Sequence, residues 1–282
     1  MMKFFYFRLL EVVNSENQMT IMLVYERMHI DLKRFLSVYQ RGPSKLKELL
    51  RQLLNAVSFF HSYNLIHGMI KPENIFVDPE TDVLKITDFI LPRSDRNEAG
   101  DPNKDSTFNY MAPEILIDKK QYTRALDVWS VGCVFAEMVT QKPLFPAGTE
   151  FHQKLKIFRS LNAPLNIKPK LSCRLFVFKM SEVLKFDFTS KKLEVDGAPL
   201  KSQRLLRGFQ SIMGTPTEET WPGIDEMHPN SHLFTVCEPK DLRQLVPGLE
   251  PVGIDLLQKL LFMDPKGRIT ANQALEHAYF QY

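Results

Sequence analysis

The 282-residue chain is 44% hydrophobic and 24% charged, enough to bury one large core or two small ones, and its formal charge is only +3. No run of five or more like charges marks a nucleic-acid or membrane patch, and three separated cysteines, Cys133, Cys173 and Cys237, suggest neither a disulfide framework nor a zinc site. The first ten residues hold too short an apolar cluster for a signal peptide, and no uncharged stretch reaches membrane-spanning length, so a reducing compartment, nucleus or cytoplasm, is expected.

In chain order, Leu9 to Val13 and Ile21 to Tyr25 are apolar, partly β-branched runs separated by the polar turn formers Asn14 to Asn17, and they predict a hairpin. Asp31 is placed to N-cap a short helix through Leu32 and Phe35. From Lys45 the apolar positions Leu46, Leu49, Leu50, Leu53, Leu54, Val57 and Phe60 recur at helical spacing, predicting a long amphipathic helix that ends near Tyr63-Asn64. Far downstream, Thr270 followed by Gln273 reads as a capping box at the start of a final helix.

Between these lie three ordered motifs: His67-Gly68-Met69-Ile70-Lys71-Pro72-Glu73-Asn74, then Asp88-Phe89-Ile90, then Ala112-Pro113-Glu114. As a set they resemble the catalytic loop, metal-binding turn and end-of-activation-segment motif of a protein kinase. Asp127 to Met138, Pro143-Leu144-Phe145-Pro146, Gly214-Thr215-Pro216-Thr217, Trp221-Pro222-Gly223, and Asp264-Pro265 with Arg268-Ile269-Thr270-Ala271 narrow the likeness. It is to the cyclin-dependent Ser/Thr kinases, nearest the plant type, over most of Arg8 to Phe280.

The resemblance implies an α+β, protein kinase-like fold. Residues 1–30 would be a remnant of the small-lobe β-sheet with the hinge, and residues 31–282 a mostly α-helical large lobe. The Gly-rich loop, the strand carrying the phosphate-pairing Lys and the helix carrying its Glu partner are expected to be missing. That helix is also the family's main cyclin-docking element, so cyclin, the partner the resemblance implies, loses its principal handle. Between Pro146 and Trp221 the family needs one helix, yet Gln153 to Pro164 and Gln203 to Pro216 both echo it. The Lys- and Phe-rich stretch from about 165 to 201 is an atypical insertion with no clear period and is expected to be poorly ordered.

The resemblance also implies ATP and Mg2+ as cofactors. Asn74 and Asp88 match the two metal-holding residues, and Lys71 matches the Lys that neutralises charge near the transferred phosphate. The alternative for Lys71 and Asn74 is a purely structural role, bonding the loop backbone. Glu26 and Met28 match the hinge that meets adenine, Tyr25 the gatekeeper, and Phe76 the floor of the adenine pocket, where a ring of that size fills purine space. Ile90 replaces a Gly and stiffens the turn that aims Asp88.

Position 69 departs most. The family's proton-accepting Asp is Met69 here, and a thioether cannot take a proton from a hydroxyl, a loss on the order of 10²- to 10⁴-fold in rate. Gly68 replaces the Arg that clamps the activation-segment phosphate, and Pro102 or a close neighbour stands where that Thr belongs. Glu114 and Arg268 match a buried ion pair, Asp127 the carboxylate that holds the catalytic-loop backbone, Trp129 a core filler and His67 a packed structural histidine. The leading expectation is therefore an inactive pseudokinase that acts, if at all, by binding protein through its large lobe. The alternatives are an ATP-dependent kinase of Ser/Thr-Pro sites in cell-cycle control, and the non-functional product of a pseudogene or faulty gene model.

Overall fold

The computed structural model describes residues 9–14, 21–26, 30–39, 42–87, 109–117, 121–146, 185–187, 192–195, 198–199, 212–227 and 238–281. It is an α+β fold in which helices carry nearly all of the core. Strands β1 (Leu9–Asn14) and β2 (Ile21–Tyr25) pair antiparallel with a register shift between Leu9 and Glu11, the hairpin predicted from their composition. Strand β3 (Ile30–Asp31) leads into helix α1 (Leu32–Val38), whose cap is Asp31: its carboxylate accepts from the Arg34 amide at 2.9 Å.

Helix α2 (Pro43–Ser62) begins two residues before the expected Lys45, because Pro43 occupies a first-turn position where a missing N–H costs nothing. Its Leu49, Leu50, Leu53, Leu54, Val57 and Phe60 are buried, and it ends against Asn64, which takes a left-handed φ of 56°. Strands β4 (Ile75–Val77) and β5 (Leu84–Ile86) follow the catalytic-loop motif and join β3 in an antiparallel sheet of order β3-β4-β5. Gln52 stitches α2 to this sheet, donating to Asp82 O at 3.1 Å and accepting from the Leu84 amide at 2.8 Å.

Helix α3 (Pro113–Ile117) precedes helix α4 (Ala125–Thr140), which is buried on all sides from Leu126 to Met138. Such a helix needs neighbours on every face. α2 covers one side and α7 (Pro251–Leu260) another. A Cβ at Gly132 would meet Leu261 Cδ2 at 2.8 Å, so glycine is what lets the α4 backbone approach the end of α7 this closely. Trp129, fully buried, stacks on Phe145 with ring centroids 5.6 Å apart.

Strands β6 (Lys185–Asp187), β7 (Lys192–Val195) and β8 (Ala198–Pro199) form a separate antiparallel sheet inside the expected insertion. The rest of the stretch 165–201 lies outside the described residues. Lys192 to Val195 alternates polar and apolar residues, as suits a strand. The helical echo at 153–164 and most of that at 203–216 lie outside the described residues. Short helices α5 (Ile224–Met227) and α6 (Leu242–Leu245) lead to α7 and then α8 (Ala271–Leu275). The last opens with the predicted capping box: Gln273 N donates to Thr270 Oγ1 at 3.2 Å and Thr270 N to Gln273 Oε1 at 2.9 Å. Among the described residues no helix is long and apolar enough to cross a membrane.

Candidate active site

The segment 67–74 is a loop between α2 and β4, and its shape is imposed from below by one carboxylate. Asp127, in the first turn of α4 and fully buried, accepts from the His67 amide and the Gly68 amide, both at 2.8 Å, and from His61 Nε2 at 3.0 Å. Bonds from a carboxylate to backbone N–H groups are among the stronger ones available to a buried loop. His67 is buried beside Phe60, and its Nδ1 accepts from the Met69 amide at 3.3 Å. The ring therefore orients the loop through its acceptor nitrogen and has the packed structural role expected of it.

From above, Asn74 closes the loop. Its Nδ2 donates to Met69 O at 2.8 Å, its own amide bonds Lys71 O at 2.9 Å, and its carbonyl accepts from Thr87 N at 3.0 Å. Both Lys71 and Asn74 are buried, as is Ile70 between them and the core. With Nδ2 committed to Met69 O, the amide oxygen is the part of Asn74 that remains for a hard cation, and magnesium prefers such oxygen ligands. Asn74 thus suits a metal chemically, while Asp88, its expected partner, lies outside the described residues, as does Met28. No group of three or more His, Cys, Asp or Glu among the described residues is placed to hold a metal on its own.

Met69 is half-buried at the centre of this loop. Its main chain is fixed at both ends, yet its side chain ends in a thioether with no proton-accepting capacity at neutral pH. Phe76 follows in β4, half-buried and paired across the sheet with Asp31 on one side and Lys85 on the other. The Lys85 ammonium pairs with the Glu26 carboxylate, which joins the end of β2 to β5 and places Glu26 near Phe76 through one cross-strand neighbour. The structure therefore brings Met69 and Asn74 into direct contact, with Lys71 in the same loop, and links Glu26 to the Phe76 sheet.

Two polar pairs near the loop, one of them an ion pair, had no sequence signal. Lys33 in α1 donates to Glu73 Oε1 at 2.8 Å. Burial alone would push the Glu73 carboxyl up, but the hydrogen bond and charge of Lys33 hold it below its ordinary range, and the same bond raises Lys33. Lys33 is more than half exposed, so the pair contributes less than about 1 kcal/mol. Tyr110 donates to Glu137 Oε2 at 2.6 Å in the buried space above α4. Burial raises the Glu137 carboxyl despite that bond, and burial followed by the nearby Glu137 charge raises the Tyr110 phenol.

The frame under the site ends at Arg268. Its guanidinium makes five hydrogen bonds: to both oxygens of Glu114 at 2.7 and 2.9 Å, and to the carbonyls of Phe262, Ala125 and Met263. Both side chains are fully buried, and the guanidinium also lies 5.1 Å from the Trp129 ring centroid. This ties α3 to the turn before α8 around the first residue of α4.

A protein-family model described as protein kinase domain matches residues 7–280. The chain belongs to the protein kinase domain family. Its α+β fold is that of the family, and ATP with Mg2+ is what members of the family generally use.

Proposed function

We propose that this kinase-family chain is a pseudokinase of the cyclin-dependent Ser/Thr kinase type, nearest the plant members, that acts by binding protein through its large lobe rather than by transferring phosphate. One observation carries the reading. Met69 is clamped through its backbone by Asn74 and His67, in a loop whose frame is intact, yet it presents a thioether where a proton must be accepted. A disordered loop would leave room for another side chain to move in, and this one is held. Retained Lys71 and Asn74 favour a second reading, an ATP- and Mg2+-dependent kinase acting on Ser/Thr-Pro sites in cell-cycle control, in the nucleus or cytoplasm and with a cyclin or other protein partner.

Phosphate transfer from ATP to a Ser-Pro peptide, measured together with thermal unfolding, decides between them. The expected result is a cooperative transition, no shift in its midpoint with ATP and Mg2+, and no transfer. A midpoint that rises with Mg2+ and ATP through mass action, together with turnover that Asp88→Ala abolishes, establishes the active kinase. Non-cooperative unfolding overturns both and leaves the product without a stable fold.

A further inference from the structure

The last described turn of the chain hangs on one imidazole. His277 is buried and precedes a 3-10 turn, Ala278–Phe280, where its Nδ1 accepts from the Tyr279 amide at 3.2 Å. A ring nitrogen that accepts carries no proton, so the neutral ring holds its hydrogen on Nε2 and donates it to Asp255 Oδ2 at 2.8 Å. Lys259 Nζ lies 2.7 Å from the same oxygen and 3.1 Å from Nε2, so both donors converge on one carboxylate. The capped turn seats Tyr279 where three helices meet. Its ring centroid is 5.5 Å from that of Phe135 in α4 and 4.6 Å from Lys47 Nζ in α2, and its edge rests against Gly253 in α7.

We propose that His277 is a proton-sensitive catch for this turn. With the ring neutral, Nδ1 caps the Tyr279 amide. With the ring protonated, both nitrogens carry hydrogen, the cap is lost and two N–H groups face each other. The Nε2–H bond to Asp255 exists in both states, whereas Lys259 stands against the added charge. Acid therefore loosens the seat of Tyr279 between α2, α4 and α7. Two neighbours keep their charge state between pH 8 and pH 5. The Lys259 bond, with that of His277, holds the Asp255 carboxyl below its usual range despite desolvation, and burial followed by the Glu250 charge pushes the Tyr279 phenol up to about 12. The remaining charged groups around the turn are Lys47, paired with Glu250 at 3.3 Å, and Glu276 on its own segment, which accepts from Asn272 at 3.4 Å.

The test compares wild type with His277→Asn on the full chain, by thermal unfolding at pH 8 and pH 5, which bracket ordinary imidazole titration. Asn is a strong cap whose amide oxygen accepts at either pH. Between the two, the wild-type midpoint is expected to fall about 2–4 °C further than that of His277→Asn, as one cap is worth in a chain of this size. Equal falls, or a larger fall in the variant, overturn the catch. Should His277→Asn fail to fold, two measurements on wild type decide. Nitrogen NMR at pH 8 is expected to show Nε2 protonated and Nδ1 bare. Exchange of the Tyr279 amide, corrected for its intrinsic rate, is expected to rise at least about 5-fold relative to α7 amides on going to pH 5. A proton on Nδ1 at pH 8, or an unchanged exchange ratio, overturns the proposal.

Discussion

Arg268 and Met69 are joined through α4, and they are held to different standards. Every N–H of Arg268 has an acceptor, its carboxylate partner is bidentate and fully buried, and an aromatic face lies beside it. Met69 is also fixed through its backbone, but its side chain ends in a thioether with no proton-accepting capacity at neutral pH. A frame that sinks charges into a core is costly to alter in pieces, since removing one partner strands the other. A half-buried, uncharged side chain carries no such penalty. The difference teaches why a half-buried loop position is free to vary in identity while the buried frame beneath it stays whole.

The comparison is broken most severely at Arg268. Arg268→Ala leaves the Glu114 carboxylate buried and unpaired and is expected to destabilise by about 3–5 kcal/mol in denaturant unfolding. A loss under about 1 kcal/mol would show that the frame is no more constrained than the loop. Pairing Arg268→Met with Glu114→Leu sharpens the point, because replacing both charges is expected to recover much of the loss.

Next comes the link between the two regions. Asp127→Ala strands the His67 and Gly68 amides and is expected to cost about 2–4 kcal/mol, with Asp127→Asn milder because an amide oxygen still accepts. Urea titration of both variants checks the order. If Asp127→Ala unfolds no earlier than wild type, the loop is held by something other than this carboxylate.

The smallest effect is a pH dependence at Glu137. Burial raises its carboxyl above the ordinary 4.5, so the folded chain binds the proton more tightly than the unfolded one. Its contribution is therefore full below 4.5 and is lost as pH rises through the raised folded value. Glu137→Gln, which keeps an acceptor for Tyr110, is expected to remove that decline from a stability-versus-pH series. An identical slope in the variant would show that Glu137 titrates as if in water.

Much of the frame was legible in the chain. Asp31 as a cap, the α2 stripe and the Thr270–Gln273 box are local signals, each set by residues a few positions apart. The hairpin β1–β2 follows from two β-branched runs and a polar turn. The β6–β8 pairings join residues only a few positions apart, yet a Lys-rich stretch without helical period gave no expectation of strands. Lys33–Glu73 was not legible: the partners lie 40 positions apart in elements of different type. The Glu114–Arg268 pair, 154 positions apart, was reached only through likeness to a family.

At the site itself, the sequence alone determined what each side chain is able to do. Met69 has no basic atom, Gly68 has no guanidinium, and Asn74 keeps a hard oxygen, whatever the fold. Only the tertiary structure decided how those groups are held. It set the Asn74 amide against Met69 O, brought Asp127 under the His67 and Gly68 amides, and filled the space beside Gly68 with Tyr122. Side-chain chemistry is a property of one residue, whereas the volume and hydrogen bonds around it depend on segments that meet only after the core has packed.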